Sequence, residues 1–213
     1  MRQVTVGSAL ILGMALSAGR ASAVPILPAG SSWEYTFTLG PTGPPLNPDW
    51  NTETNATDGG DEADWSVGPA PFGNNTGGYP PDLAGDFDFA TYWGADGSDG
   101  DDLWVRTTFD ATGFIPGSIA WNLGADNGYT LYLNGTLIAS ANAEGYTSRW
   151  EYSGGFGASL LPGTNVIAVA LEDHGGLTAF DMEVVGDPVP EPGTLLLLGS
   201  GLTALAMRRR RRS

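Results

Sequence analysis

The fold is decided by the stretch Tyr129-Thr130-Leu131-Tyr132-Leu133-Asn134-Gly135-Thr136-Leu137-Ile138-Ala139. Two short runs rich in apolar and β-branched residues flank the dipeptide Asn134-Gly135. Both positions of this dipeptide accept a positive φ at low cost, which is what a tight two-residue hairpin turn requires. The stretch therefore predicts an antiparallel hairpin with strands over 129–133 and 136–139.

Period-two alternation predicts further strands on both sides of this hairpin. The expected inward faces are Trp33, Tyr35, Phe37 and Leu39 in one strand and Leu103, Val105, Thr107 and Phe109 in another, with Trp104, Arg106 and Thr108 opposite the second set. Residues 166–171 are almost continuously apolar, which is typical of a central strand buried on both faces. Phe180, Met182 and Val184 predict a closing strand. No stretch of useful length with helical periodicity occurs outside the termini, so we expect an all-β fold, a β-sandwich or jelly roll.

The charge of the chain is divided between its centre and its ends. All 24 acidic residues lie between Glu34 and Glu191, and the only basic residues in that interval are Arg106 and Arg149. Such a surface repels nucleic acid and anionic lipid, since binding to both depends on basic contacts. Divalent cations and neutral polymers such as extracellular polysaccharide stay possible partners. The chain has no cysteine, which excludes disulfides and thiolate metal sites.

The first 23 residues have the three parts of a secretory signal peptide. Arg2 supplies the positive charge, residues 4–18 form a short apolar stretch predicted to be a signal helix, and Ala21-Ser22-Ala23 is a small-residue cleavage site. We therefore expect signal peptidase to cut after Ala23, using Ala21 and Ala23 as the recognised small residues.

The last 26 residues, 188–213, also have three parts in a fixed order. Pro190-Glu191-Pro192 is followed by an apolar segment over 194–207 and then by the arginine cluster Arg208, Arg209, Arg210, Arg211 and Arg212. The two prolines disfavour helix and strand, leaving an extended strip that a protease can hold. Fourteen residues of helix span about 21 Å, short of the hydrocarbon core of about 30 Å. The arginines favour an orientation in which the C-terminal end of this short hydrophobic helix lies at the cytoplasmic side and the acidic domain lies outside. Because the helix is too short for a stable span, the pattern predicts transient insertion into the inner membrane.

This order resembles the PEP-CTERM sorting signal of Gram-negative bacteria, a tail that is also labelled an ice-binding protein C-terminal domain. The resemblance implies a membrane protease of the exosortase type, which cleaves at Pro190, Glu191 and Pro192. It also implies delivery to the cell surface or to extracellular polysaccharide.

The central region, residues 24–187 with long loops over about 40–92, resembles the galactose-binding-like jelly-roll module. The resemblance covers about 120 residues and rests on the segments 65–73, 103–109, 125–135 and 165–170. It implies a jelly roll of the kind found beside many secreted bacterial enzymes and surface proteins, a fold that often holds a structural calcium ion.

Acidic residues are concentrated in two short segments. Asp96, Asp99, Asp101 and Asp102 lie within seven residues that also contain two glycines, and Ca²⁺ prefers six to eight oxygen ligands from such loops. A second cluster comprises Asp58, Asp61, Glu62 and Asp64. Each segment is either a calcium site or a solvated acidic turn, and calcium is the one cofactor that the sequence suggests.

Catalysis finds little support in the residue pattern. His174 is the single histidine, adjacent strand residues such as Asp173 and His174 point opposite ways, and no Gly-x-Ser-x-Gly motif is present. We expect a protein that is not an enzyme.

Sugar binding is suggested instead by aromatic residues in or near loops: Trp50, Trp93, Trp150 and Tyr152. Core packing is the alternative for any tryptophan, and it is favoured for Trp33, Trp104 and Trp121, which lie in strand patterns. The sequence thus predicts an exported surface or matrix protein, associated with biofilm and weakly binding carbohydrate. The alternatives are a surface protein without ligand and, less favoured, a secreted hydrolase.

Overall fold

The structure is a computed structural model that describes residues 22–37, 49–52, 54, 65–74, 89–94, 102–142, 149–190, 199–203, 205 and 208–210. Two six-stranded β-sheets make up the described part of the central region. The predicted all-β sandwich is confirmed, and its architecture is compatible with the jelly-roll module that the sequence resembles.

The strands run from Val24 to Gly186. They are β1 (Val24–Leu27), β2 (Ser32–Phe37), β3 (Ser66–Pro69), β4 (Phe72–Gly73), β5 (Thr91–Tyr92), β6 (Leu103–Asp110), β7 (Ala120–Asp126), β8 (Tyr129–Leu133), β9 (Thr136–Ala141), β10 (Tyr152–Gly155), β11 (Thr164–Leu171) and β12 (Ala179–Gly186). Short 3₁₀ turns lie at Pro116–Ser118 and Gly157–Ser159. The first sheet has the order β10-β7-β12-β4-β5, with β1 also paired to β12, and the second sheet has the order β3-β2-β6-β11-β8-β9.

The predicted hairpin is formed by β8 and β9. Its turn residues have positive φ, 51° at Asn134 and 77° at Gly135, as the two-residue turn requires. Burial alternates along β8, which confirms the predicted pattern. Strand β9 continues to Ala141, two residues beyond the predicted end at Ala139.

Strand β11 is central in the second sheet, between β6 and β8, as its apolar run predicts. Inward side chains of the two sheets interlock between them, because each strand alternates inward and outward. The largest fully buried apolar side chains are Trp33, Trp93, Phe72, Phe180, Leu103, Leu123, Leu131, Leu133, Ile167 and Leu171. Closing strand β12 contributes Phe180, Met182 and Val184, all fully buried as predicted.

Two features of the structure add to what the sequence pattern indicates. Alternation places Arg106 on the outer face of its strand, but its side chain is fully buried because residues from another part of the chain cover that face. The region expected as long loops over 40–92 contains the short strands β3, β4 and β5 among its described residues.

The helical termini lie partly outside the described residues. The predicted signal helix and Leu39 lie outside the described residues. Residues 199–203, 205 and 208–210 are helical. Among the residues that the structure describes, no helix is both long enough and apolar enough to cross a bilayer.

Candidate functional site

The chain leaves the sandwich through residues 187–189, here called the exit segment, which is bound to the turn between β6 and β7. The amide of Val189 donates to the carbonyl of Gly113 at 2.7 Å, and the amide of Ile115 donates to the carbonyl of Asp187 at 2.9 Å. The amide of Asp187 donates to Ser118 Oγ at 2.8 Å. These bonds fix the backbone up to Val189, so Pro190-Glu191-Pro192 directly follows the folded domain.

The expected signal-cleavage point and the exit of the tail lie at the same end of the sandwich. Val24, the residue after the expected signal cleavage, pairs with Gly186 at the end of β12. Ala23 and Pro190 are exposed, so neither is occluded by the described part of the domain. Ala21, Glu191 and Pro192 lie outside the described residues.

The arginine cluster is described in part. Arg208, Arg209 and Arg210 are exposed helical residues, and Arg211 and Arg212 fall outside the described part of the chain. Their exposure is compatible with contact to lipid headgroups.

A second feature, the aromatic–cation cluster, covers the outer face of the second sheet. Its members are Glu34, Trp50, Trp65, Trp104, Arg106 and Tyr132. Arg106 Nε donates to Glu34 Oε2 at 2.8 Å, and the guanidinium carbon lies 4.2 Å from the centre of the Trp65 ring. The guanidinium also donates to the carbonyl of Trp50 at 3.3 Å. The pair is therefore enclosed: Arg106 is fully buried and the Glu34 side chain is 16% exposed.

The ring of Trp50 closes the aromatic–cation cluster over β11. Its ring centre lies 4.9 Å from that of Trp104 and 5.6 Å from that of Tyr132, both in edge-on contact. Trp104 belongs to β6 and Tyr132 to β8, the strands on either side of β11. The β11 residues in register with them are Ala170 and Ala168, whose small side chains leave room for an indole above the sheet. The outer face of the sheet thus has a small apolar layer of its own.

The structure separates the four residues proposed to bind sugar. Trp50 is 8% exposed and Trp93 is fully buried, so the expectation that both rings offer an open face is wrong. The carbonyl of Trp93 accepts from the Thr178 hydroxyl, which ties its loop to the core. Core packing is confirmed for Trp33 and Trp121, while Trp104 is half-buried in the outer cluster.

Trp150 and Tyr152 are half-buried; Trp150 lies two residues before the edge strand β10, and Tyr152 is its first residue. Tyr152 packs on the ring of Tyr129 at 4.7 Å, and burial raises the pKa of Tyr152, with the neighbouring Glu151 carboxylate adding to the effect. Burial likewise raises the pKa of Tyr129 to about 12. Tyr152 is therefore neutral, and its ring is packed against that of Tyr129. The guanidinium carbon of Arg149 lies 5.0 Å from the centre of the Trp150 ring.

Arg149 is held by Asp181, a contact that no motif in the sequence indicates. Its terminal nitrogen donates to Asp181 Oδ2 at 3.0 Å, and the amides of Gly30 and Met182 donate to Oδ1. Asp181 is fully buried, and this burial raises its pKa despite those donors. The one signal available in the sequence is that Arg149 is one of only two arginines inside the acidic region.

The calcium hypothesis rests mostly on residues that the structure does not describe. Asp96, Asp99 and Asp101 lie outside the described residues, as do Asp58, Asp61, Glu62 and Asp64. Asp102 Oδ1 accepts from the amide of Asp173 at 3.2 Å, and burial raises the pKa of Asp102. Within the described part of the chain no three acidic or histidine side chains are grouped so as to hold a metal ion. The site stays a prediction.

His174 belongs to the same end of the sandwich as Asp102. Its Nε2 lies 3.1 Å from Glu172 Oε2, and its amide donates to Asn127 Oδ1 at 3.0 Å. Asp173 Oδ1 accepts from the amide of Gly175, within its own loop. These contacts order the β11–β12 loop.

Comparison with known proteins assigns the tail. The PEP-CTERM protein-sorting motif matches residues 188–212, which begin within the exit segment. The class of protein is therefore an exported chain that exosortase sorts, by way of the membrane, to the cell surface. This chain presents a β-sandwich ahead of that motif. No curated protein matches it.

Several solved structures are similar to the sandwich. The β-glucuronidase of Bifidobacterium dentium shares 14% identity at a TM-score of 0.43, over 73% of this chain and 21% of that chain. An uncultured Clostridium β-glucuronidase shares 9% identity at 0.46, over 81% and 30%. The Ruminococcus gnavus enzyme shares 14% identity at 0.47, over 81% and 31%. The chain thus spans between a fifth and a third of the length of these proteins.

Proposed function

We propose that the sandwich is a non-enzymatic module of the cell surface or extracellular matrix that binds neutral polysaccharide weakly after its tail is processed. The observation that carries the proposal is the exit segment, whose backbone bonds extend to Val189, the residue before Pro190-Glu191-Pro192. Such processing would deliver the folded domain, so its surface is where a function outside the cell is sought.

Neutral polysaccharide is supported by charge and by Trp150. An excess of acidic residues repels anionic polymers, which leaves uncharged sugars as the favoured polymer. The ion pair with Asp181 holds the guanidinium of Arg149 against the ring of Trp150. An aromatic ring fixed before binding loses less entropy when a sugar ring stacks on it. The half-buried rings of Trp65, Trp104 and Tyr132 are a second possible platform.

Glycan profiling of the processed protein tests this proposal. Trp150→Ala should lower the affinity for a bound neutral glycan about 5- to 10-fold, as expected for the loss of one aromatic contact of about 1–1.5 kcal/mol. Val67→Ala is the matched control, because Val67 is 68% exposed on the edge strand β3 and is not aromatic. Binding that survives Trp150→Ala but not Trp104→Ala would move the site to the aromatic–cation cluster.

A surface protein without a ligand is the second candidate, favoured by the burial of Trp50 and Trp93. It predicts no glycan signal above background for the unmodified protein, with or without Ca²⁺. Thermal unfolding of the same protein with and without Ca²⁺ tests the calcium hypothesis, because a structural ion would raise the thermal stability when it is added. Release of sugar from any bound glycan would refute the non-enzymatic part of the proposal.

A further inference from the structure

The end of the sandwich where the tail leaves carries a concentration of exposed apolar side chains. Seven large apolar side chains are exposed in the described part of the sandwich and exit segment, and four lie at this end: Val24, Ile115, Leu161 and Val189. These four residues are here called the exit patch. Their exposed fractions are between 40% and 51%.

Backbone contacts place the members of the exit patch together. Val24 pairs with Gly186, the amide of Ile115 donates to Asp187, and the amide of Val189 donates to Gly113. Leu161 borders a cavity of about 280 Å³ that it shares with Phe114 and Pro116 from the β6–β7 turn. The patch therefore surrounds the exit of the tail, and two of its four members, Ile115 and Leu161, lie in turns.

The length of chain beyond the exit patch limits how far this end can lie from the membrane. Five residue steps separate Val189 from residue 194, where the apolar segment of the tail begins. Fully extended, they span at most about 17 Å. When the tail is inserted, the exit patch is thus held at or just above the headgroup layer, which occupies roughly 5–8 Å on each side of the hydrocarbon core.

We infer that the exit patch lies in the outer interfacial layer of the membrane before processing, with uncharged or zwitterionic lipid as its partner. This inference rests on the membrane insertion of the tail that the sorting function requires. An apolar patch on an otherwise polar surface can enter the headgroup region while the rest of the domain stays in water. Asp110 and Asp187 lie beside the patch and disfavour anionic lipid. Cleavage at the motif removes the tether, and the patch then leaves the lipid.

Single-cysteine labelling of the full chain without its signal peptide tests the inference, because the chain contains no cysteine of its own. Ile115→Cys and Leu161→Cys would each carry a polarity-sensitive fluorophore in phosphatidylcholine vesicles that contain a headgroup-level lipid quencher. Tyr92→Cys is the matched control. Tyr92 is 65% exposed at the opposite end of the sandwich, since it pairs with Gly73, which pairs with Ala179 at the start of β12.

The labels at 115 and 161 should emit at shorter wavelength and be quenched at least twofold more than the label at 92. Cleavage at the sorting motif should abolish the difference, and anionic vesicles should reduce it. Equal quenching at all three positions would overturn the inference. A shorter emission wavelength without lipid quenching would also overturn it, in favour of a protein partner such as a second copy of this chain.

A label at Thr203→Cys, in the tail, separates failure of the exit patch from failure of tail insertion. Strong lipid quenching at 203 with none at 115 and 161 refutes the exit patch and leaves sorting through the membrane intact. Absence of quenching at 203 refutes the tail insertion on which the inference depends, and the inference with it.

Discussion

Replacing Glu34 by leucine should destabilise the sandwich more than replacing its partner Arg106 by methionine. Arg106 is fully buried and donates to Glu34 Oε2 at 2.8 Å, whereas the Glu34 side chain keeps 16% exposure. Glu34→Leu leaves a cation that cannot reach water. Arg106→Met leaves a carboxylate that can still be partly hydrated, so the two halves of the pair are not equivalent.

The magnitudes follow from this difference in exposure. Removing one partner of a buried ion pair costs about 3–5 kcal/mol, and the partial exposure of Glu34 favours the lower end, about 3 kcal/mol for Glu34→Leu. For Arg106→Met we expect about 1.5 kcal/mol, mostly from the lost cation–π contact with Trp65 and the bond to the Trp50 carbonyl. The double variant should also lose about 1.5 kcal/mol, because the buried cation and the carboxylate that it binds are removed together. A loss of 3 kcal/mol corresponds to a fall in Tm of about 6–12 °C for a domain of this size.

Urea unfolding of the processed protein, followed by tryptophan fluorescence and by circular dichroism, measures all three variants. Unchanged m-values would show that the free energies can be compared. Two results would refute the reasoning. One is a double variant whose loss equals the sum of the single losses within about 0.5 kcal/mol, and the other is a larger loss for Arg106→Met than for Glu34→Leu.

Three further predictions concern the hairpin turn, a buried carboxyl and the tail. Gly135→Ala should cost about 1–2 kcal/mol in urea unfolding, because φ is +77° and the added Cβ would lie 2.5 Å from Thr52 Cγ2. The control Gly117→Ala, with open space around its Cβ, should change stability by less than about 0.5 kcal/mol. Equal losses for the two variants would contradict the turn geometry. Burial raises the pKa of Asp181 above its ordinary 3.8, so its contribution to stability is complete below that value and is lost as the pH rises through the folded pKa. The unfolding free energy of the unmodified protein, relative to Asp181→Asn, should therefore fall with rising pH in the mildly acidic range, and a rise would show the opposite shift. Glu191→Ala, or deletion of Arg208–Arg212, should leave the tail attached in mass measurements of the exported protein, and maturation at the normal rate would disprove processing at the motif.

Local patterns were sufficient for the parts of the fold whose causes are local. The hairpin depends on two adjacent residues that tolerate positive φ, and the central position of β11 depends on a continuous apolar run. The order of motif, apolar segment and arginines is likewise written along the chain, which is why the residues of the tail are enough to assign it.

Burial on the outer face of the second sheet could not be read in the same way. Alternation assigns Arg106 to that face but does not say whether another segment covers it. Coverage depends on residues 49–52 docking on the hairpin turn, where the amide of Gly135 donates to the carbonyl of Asn51 at 3.0 Å. These partners are more than eighty residues apart, and neither segment carries a local signal for the other.

The sequence by itself determined that this protein is exported, that its core is a β-sandwich and that its tail directs sorting, because signal peptides, strand alternation and the sorting motif act through neighbouring residues. Only the tertiary structure decided which aromatic rings are open, that Arg106 and Asp181 are buried with partners, and that Val24 and the exit segment lie together at one end of the sandwich. Those properties arise from contacts between segments far apart in the chain, and long-range contacts leave no periodic trace in the segments that make them.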